Sequence, residues 1–369
     1  MQHYFNQFMG NGSAFKHGLP AYAYTSNEFW NLEQQTVFSN NWVFVGFAHQ
    51  MPDPGDARPV TVGGRPVLLL RGDDDEIRAF HNVCRHRCLK LVDEPKNCGK
   101  SVRCPYHSWI YTLRGDLKVA PFFGGGERQT PADFYPEDKG LTQMFCSVWN
   151  DWIFVNVDDN PVDFDNFVAP LKRQLGGVAL DNIKPLAMID LGVVESNWKF
   201  LMENFIEPYH VQFVHRSTTQ QPLKSHYTVR DHHCLGSGCE IDETTERDTV
   251  NTLAVTSHYL TLFPNFVLGT YAPDQVGVHL NIPLNEHQTQ QYRVIYTHQD
   301  SNIPSTRIEQ LKKLWFDVHK EDHAICERLQ AGRSSPVAEI GGYLSPHWED
   351  SVYDFQKLVV QATFNQNRI

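Results

Sequence analysis

The spacing of apolar residues changes character along the chain. Near the start, Phe29, Trp30, Leu32 and Phe38 follow the polar triplet Ser26-Asn27-Glu28, which suits a helix cap, so residues 1–40 read as a helical arm packing on a later domain. From Asn41 the texture becomes short β-branched and aromatic runs between turn clusters: Trp42 to Phe47, Val60 to Val62 before Gly63-Gly64, Val67 to Leu70 before Arg71-Gly72-Asp73-Asp74-Asp75, and Trp152 to Val157. Short strands with regular turn signals predict a small antiparallel β domain over residues 41–158. Phe122 to Glu127 reads as a flexible loop, and Asp158-Asp159-Asn160-Pro161 as a boundary.

Beyond it, Trp198 to Val214 reads as helical, and Phe266 to Tyr271, Val276 to Ile282 and Gln291 to Thr297 as strands. A long helix is predicted over roughly residues 308–329, because Ile308, Leu311, Trp315, Val318, Asp322, Ile325 and Leu329 repeat at steps of three and four. The fold class is therefore α+β, with residues 159–369 forming a helix on an antiparallel sheet.

Composition narrows the partners. With 32 basic and 43 acidic residues the net charge is −11, which disfavours a protein that neutralises a phosphate backbone. No long apolar run predicts a membrane span, and the start of the chain lacks the pattern of a signal peptide, so a cytoplasmic place is expected. Four of the eight cysteines (Cys84, Cys88, Cys98 and Cys104) lie close together in the β domain, and there are 18 histidines. In a reducing compartment such a cluster points to metal or redox chemistry.

Two half-motifs stand out: Cys84-Arg85-His86 and, 17 residues after it, Cys104-Pro105-Tyr106-His107. Each offers one thiol and one imidazole, the inventory of a Rieske centre, in which two Cys hold one iron and two His the other. A Cys2His2 zinc site is the alternative, although zinc fingers pair like with like at short spacing. A second constellation is Glu207-Pro208-Tyr209-His210 with His215. Two His and one carboxylate can hold Fe(II) with open positions. Five residues turn an ideal helix by about 140° beyond a full turn, so the helix must end or bulge near Pro208 for both rings to converge. Asp322 is the natural third ligand, because it occupies a core position in the amphipathic stripe while Asp317, Glu321 and Glu327 lie off it as solvated acids.

The first motif, followed by Ser108-Trp109, resembles the Rieske signature of the bacterial Rieske non-heme iron oxygenases, and the resemblance extends over nearly the whole chain. It implies a Rieske [2Fe-2S] domain, with Cys84, His86, Cys104 and His107 on the cluster, and a helix-grip-like catalytic domain in which His210, His215 and Asp322 hold a mononuclear iron. Arg85, Arg87, Pro105 and Trp109 resemble residues that wall the cluster. Cys88 stands where the family often has Gly. With Tyr106 and no second cysteine in the other loop, Cys88 and Cys98 are expected to be free thiols.

The resemblance also implies that Glu207 hydrogen-bonds His210 and links it to His107 of a neighbouring subunit in a homotrimer, and that Asn204 lies near the iron. It implies an oxidoreductase that uses O2, with electrons from NAD(P)H through a separate reductase. No glycine-rich nucleotide fingerprint occurs in this chain. Glu rather than Asp at position 207 is typical of the branch acting on quaternary ammonium and N-methyl compounds. The expected activity is thus a monooxygenase leading to C–N cleavage or demethylation of a small molecule, with aromatic-ring dihydroxylation as the alternative. A Rieske electron carrier and a zinc-structured binding module are the non-enzyme alternatives. Tyr259, Phe263, Phe266 and Tyr271 are expected to line the substrate pocket, as a cage for a methylammonium group or as apolar walls.

Overall fold

A computed structural model describes Phe5, Phe8 and residues 16–218, 223–240, 256–271 and 274–364. The chain divides into two compact units, Phe38–Pro161 and the remainder on either side of it.

The inserted unit is built on a seven-stranded antiparallel sheet. Its strands run in the order Val43–Phe47, Trp152–Asn156, Gln143–Trp149, Ile77–His81, Arg65–Arg71, Asp56–Val62 and Lys96–Asn97. Gly63 and Gly64 make the hairpin between Asp56–Val62 and Arg65–Arg71; both have positive φ, 55° and 71°, as a two-residue turn matched to strand twist requires. A three-stranded sheet, Val102–Arg103, Ile110–Tyr111 and Leu117–Val119, carries the second Cys/His loop. Leu68, Leu70, Phe80, Val92, Trp109 and Tyr111 pack in one core with Cys84 and Cys104.

The larger unit holds a seven-stranded antiparallel sheet of β1 (Ile183–Val194), β2 (His226–Asp231), β3 (Cys234–Cys239), β4 (Ser257–Leu262), β5 (Phe266–Tyr271), β6 (Gln275–Asn285) and β7 (Gln288–His298), in the order β1-β7-β6-β5-β4-β3-β2. Four longer helices matter for the site: α1 (Asn27–Gln35), α2 (Trp198–Ile206), α4 (Ser305–Gly332) and α5 (Asp350–Phe364), with the single turn α3 (Val211–Val214) between α2 and β2. α4 lies across β1, and its Leu311, Trp315 and Val318 close a core with Ile189, Leu191 and Ile295. None of the described helices is long and apolar enough to cross a membrane.

Ser26 caps α1 as its sequence predicts, accepting the amide of Phe29 at 3.2 Å. The long helix departs from the predicted stripe at its end. Leu329 is 42% exposed, whereas Cys326 and Gln330 are buried. From Trp315 the inward row runs through Val318, Asp322, Cys326 and Gln330, because 3.6 residues per turn lets the buried face drift off a fixed three-four alternation. The segment from Trp198 to Val214 is not one helix. α2 ends at Ile206, and Glu207 is extended (φ −105°, ψ 137°), as the residue before a proline prefers.

α1 is tied to α2 by buried charge. Lys199 Nζ lies 2.7 Å from Glu33 Oε1, both side chains wholly inaccessible, and Trp198 Nε1 donates to Glu33 Oε2 at 3.3 Å. The ammonium also stands about 5 Å from the ring centres of Tyr24, Phe29 and Trp198.

Candidate functional site

The two Cys/His loops are near copies of each other in backbone. The amide of Cys84 donates to Leu89 O and that of Cys104 to Trp109 O, both at 2.8 Å. The amides of Cys88 and Ser108 then return to the Cys84 and Cys104 carbonyls at 2.9 and 3.1 Å. Cys88 and Ser108 both have φ 55°, a left-handed turn position that glycine adopts without strain. The loops bring all four predicted side chains to one tip. Cys84 and Cys104 are buried at its base, 1% and 2% exposed, while His86 is partly and His107 largely open to solvent. The two imidazole rings stand 4.6 Å apart, and Trp109 stacks on His86 at 5.1 Å.

Burial pushes the Cys104 thiol up, so this apolar base favours a thiol unless a cation is bound. Tyr111 OH lies 3.2 Å from Cys84 Sγ and accepts the Arg85 amide at 2.9 Å, fixing the first loop. All eight cysteines, Cys88 and Cys98 included, are free thiols.

In the larger unit, the break at Glu207-Pro208 turns the chain so that His210 and His215 flank α3, with ring centres 5.3 Å apart. Asp322 comes from α4 to meet them, and one ligand atom from each of the three lies within 4.8 Å of the others. Asp322 Oδ1 is 3.0 Å from His215 Nε2 and 3.7 Å from His210 Nε2, yet it is buried and makes no hydrogen bond. A buried carboxylate oxygen without a donor is costly. Here three lone-pair atoms converge on one point instead of on each other, an arrangement that fits a metal ion. Two imidazoles and one carboxylate with an open side suit Fe(II).

The outer nitrogens are also held. Glu207 Oε1 lies 2.6 Å from His210 Nδ1, and Glu321 Oε2 lies 2.8 Å from His215 Nδ1. Burial alone would lower His210, but Glu207 and Asp322 outweigh it and hold the imidazole up to about 9. His215 is likewise raised against burial, through Asp322 and Glu321. A site that draws a proton this strongly also draws a divalent cation, and carboxylates on Nδ1 leave Nε2 free to ligate.

Glu321 corrects the sequence reading. It is not a solvated acid: besides His215 it accepts from Ser217 Oγ at 3.1 Å and Thr218 Oγ1 at 2.8 Å. Its position beside Asp322, on the shoulder of the inward row, was the available signal. Asp317, by contrast, does pair on the surface, with Lys313.

A cleft of about 600 Å³, counting its open mouth, is lined in part by His210, His215 and Asp322. Asn204, Glu207, Tyr259 and Tyr271 line it, together with Trp315, expected only as part of the buried stripe of α4, and His279 and Arg293, which sequence reasoning did not single out. Phe263 and Phe266 do not line it. Phe263 is wholly buried against Phe355 of α5, and Phe266 is 1% exposed in the core. Phe266 and Tyr271, five positions apart on β5, face opposite sides of the sheet, and Phe263 lies in the turn between β4 and β5, where it packs on α5.

The comparisons agree with this layout. Residues 178–363 match the model of the ring hydroxylating alpha subunit (catalytic domain), and residues 41–128 match the Rieske [2Fe-2S] domain. The oxygenase subunit of glycine betaine monooxygenase from Chromohalobacter salexigens is 35% identical over 199 residues, 54% of this chain and 43% of that protein, so the match spans less than half of that relative's length. Chloroplastic choline monooxygenase from Atriplex hortensis is 25% identical over 349 residues, 89% of this chain and 74% of that one. The crystal structure of the quaternary ammonium Rieske monooxygenase CntA with an inhibitor superposes with a TM-score of 0.80 at 20% identity, covering 95% of this chain and 96% of that one, which shows a common fold. With a Cys/His tip in one unit, a two-histidine, one-carboxylate centre in the other and both family models matched, the chain belongs to the Rieske oxygenases of the ring hydroxylating alpha subunit family.

Proposed function

We propose that this chain is the oxygenase component of a monooxygenase that hydroxylates a small quaternary ammonium or N-methyl compound, leading to C–N cleavage or demethylation. The observation that carries the reading is the convergence of His210, His215 and Asp322 beside a lined cleft, with Asp322 Oδ1 buried and without a hydrogen bond. The names of the glycine betaine and choline monooxygenase relatives support the substrate class.

When bound, the [2Fe-2S] cluster supplies electrons singly and the mononuclear iron supplies activation of O2. The chain's own residues do the rest. Cys84 and Cys104 would hold the cluster from the buried base and His86 and His107 from the rim. His210, His215 and Asp322 would hold iron from one side and leave the cleft side open. Glu207 and Glu321 accept the Nδ1 protons and keep both rings aimed. Tyr259, Val211 and Val318 line the cleft with apolar surface. O2 with two electrons and two protons gives one hydroxyl on the N-methyl carbon and one water, and the carbinolamine so formed loses formaldehyde.

The reading includes a separate NAD(P)H-dependent reductase, and a homotrimer in which Glu207 meets His107 of a neighbour. The eight free thiols support a reducing, cytoplasmic place of action.

Turnover with a supplied reductase across candidate substrates tests the proposal. Formaldehyde, or an aldehyde with an amine, supports it; a catechol or cis-diol overturns it in favour of ring oxidation. Colourless zinc protein would overturn the oxygenase reading itself. Asp322→Ala is expected to lower iron from about three to about two per chain and abolish turnover with the cluster spectrum intact, because one mononuclear-iron ligand is lost.

A further inference from the structure

Arg293 is an anomaly in the cleft. It sits in the middle of β7, opposite His279 of β6, and is 1% exposed. Its Nη1 donates to Tyr271 OH at 3.2 Å and lies 2.7 Å from His279 Nε2 and 3.4 Å from His319 Nε2. Burial drives both of these imidazoles well below their ordinary range, so they are neutral and cannot compensate the charge. Nε and Nη2 have no hydrogen-bond partner, and among the described residues no acid forms an ion pair with Arg293. An arginine stays charged in a protein; burial disfavours that charge here, and Tyr271 and the more distant Asp322 offset the cost only in part.

The surroundings hold this guanidinium in place. Its carbon stands 3.7 Å from the ring centre of Trp315 and 4.8 Å from that of Tyr271, which offsets part of the cost. Gly277, paired directly with Gly269, leaves the room it needs: a Cβ at Gly277 would come 2.3 Å from Nη2. Since Arg293 already covers faces of Trp315 and Tyr271, those faces are not open to a substrate ammonium. The sequence-based cage is therefore filled in part by the protein's own cation.

We infer that Arg293 anchors a carboxylate of the substrate, so that the cleft selects compact acids with the reacting carbon held toward the iron ligands. The guanidinium, with Nε and Nη2 unused as donors, lines the same cleft as Glu207 and Asp322. His319, which touches Arg293, is one turn of α4 before Asp322, and Trp315, beneath the guanidinium, is two turns before it. That separation is about 5–10 Å along the helix, the length of a small amino-acid betaine or a substituted aromatic acid. Where the substrate is an N-methyl compound, the inference deepens the proposed function and rests on it: a zwitterion fits, and an amino alcohol lacks the group that Arg293 reads.

Binding to cluster- and iron-loaded protein, measured by calorimetry, tests this with two matched pairs: glycine betaine against choline, and benzoate against benzyl alcohol. Within whichever pair binds, the carboxylate is expected to bind at least tenfold tighter, as for a charge-assisted hydrogen-bonded pair. Arg293→Gln is expected to erase that ratio, while Arg293→Lys keeps a reduced one. Gly277→Ala, which displaces the guanidinium without removing its charge, also reduces it. If R293Q loses its visible cluster spectrum or its circular dichroism, the ratios in R293K and G277A decide. Equal or tighter binding of the alcohols, an unchanged ratio in a folded R293Q, or no carboxylate binding at millimolar concentration overturns the inference. The two readings fail separately: benzoate preferred with no N-methyl turnover removes the ammonium substrate and keeps the anchor, whereas choline bound best and oxidised removes the anchor and keeps the monooxygenase.

Discussion

Glu207 reaches Nδ1 of His210 at 2.6 Å across a turn that Pro208 opens, not along the face of a helix. Its other oxygen accepts the amides of Tyr209 and His210, so one carboxylate shapes the turn and aims the ring. Glu207→Gln retains the shape but no longer favours the basic imidazole. Loss of such a partner typically weakens metal affinity or activity about 10- to 100-fold. The expected outcome is lower turnover with little change in melting temperature, checked by iron content, cluster spectrum and steady-state rate. A full rate in E207Q would show that the contact only shapes the turn.

Glu321 plays the corresponding part for His215, and Glu321→Ala is expected to weaken iron retention at the mononuclear centre. The ring loses its Nδ1 acceptor, and Ser217 and Thr218 lose theirs. Chelator competition, followed by iron analysis, should show about tenfold or more faster loss than in the parent. An exposed acid on the same helix, as in Asp317→Ala, should leave retention unchanged.

Lys199 and Glu33 form an ion pair with no solvent access, joining α1 to α2, the helix that leads toward His210 and His215. Removing one partner strands the other charge, so Glu33→Gln is expected to cost about 3–5 kcal/mol. The double change Glu33→Gln with Lys199→Met should recover much of that loss, since two neutral groups replace an unpaired cation. Urea denaturation of the single and double variants measures it. A double variant no more stable than E33Q would show that packing around Lys199, and not charge, dominates.

Glu203 gives a pH dependence of definite sign. Burial raises its carboxyl from 4.5 to about 7, against the lowering pull of the Tyr24 hydroxyl, Arg333, Gln356 and Lys199. Between those values the folded chain keeps a proton that the unfolded chain has released, so this group's contribution to stability falls as pH rises through that window and then levels off. The difference corresponds to about 3 kcal/mol at full development. Glu203→Gln should therefore melt progressively higher than the parent from pH 5 to 7.5. A pH-independent difference between their melting temperatures would contradict the buried, proton-holding Glu203.

Much of the centre was legible in the chain because its signals are local. Cys84-x-His86 and Cys104-x-x-His107 are short loops between short strands, and the structure brings them to one tip. The five-residue spacing of His210 and His215 demanded a break that proline supplies, and the structure breaks there. Asp322 stood out because a charge in an apolar stripe needs a partner.

Other features depended on elements far apart in sequence. Glu321 meets His215 across 106 positions. Arg293 does not stand out in β7, a strand rich in polar residues, and its role depends on strand register against His279 and on which face α4 covers. Phe263 and Phe266 share the aromatic character of Tyr259 and Tyr271, but Phe263 sits in a turn packed on α5 and Phe266 on the strand face opposite Tyr271, placements that only the tertiary structure decides. The sequence by itself determined the ligand types, their local spacing and the α+β class, because turns, caps and periodicities act over a few residues. Tertiary structure alone decided what lines the cleft and which charges there go unpaired, because packing joins surfaces that no short-range pattern connects.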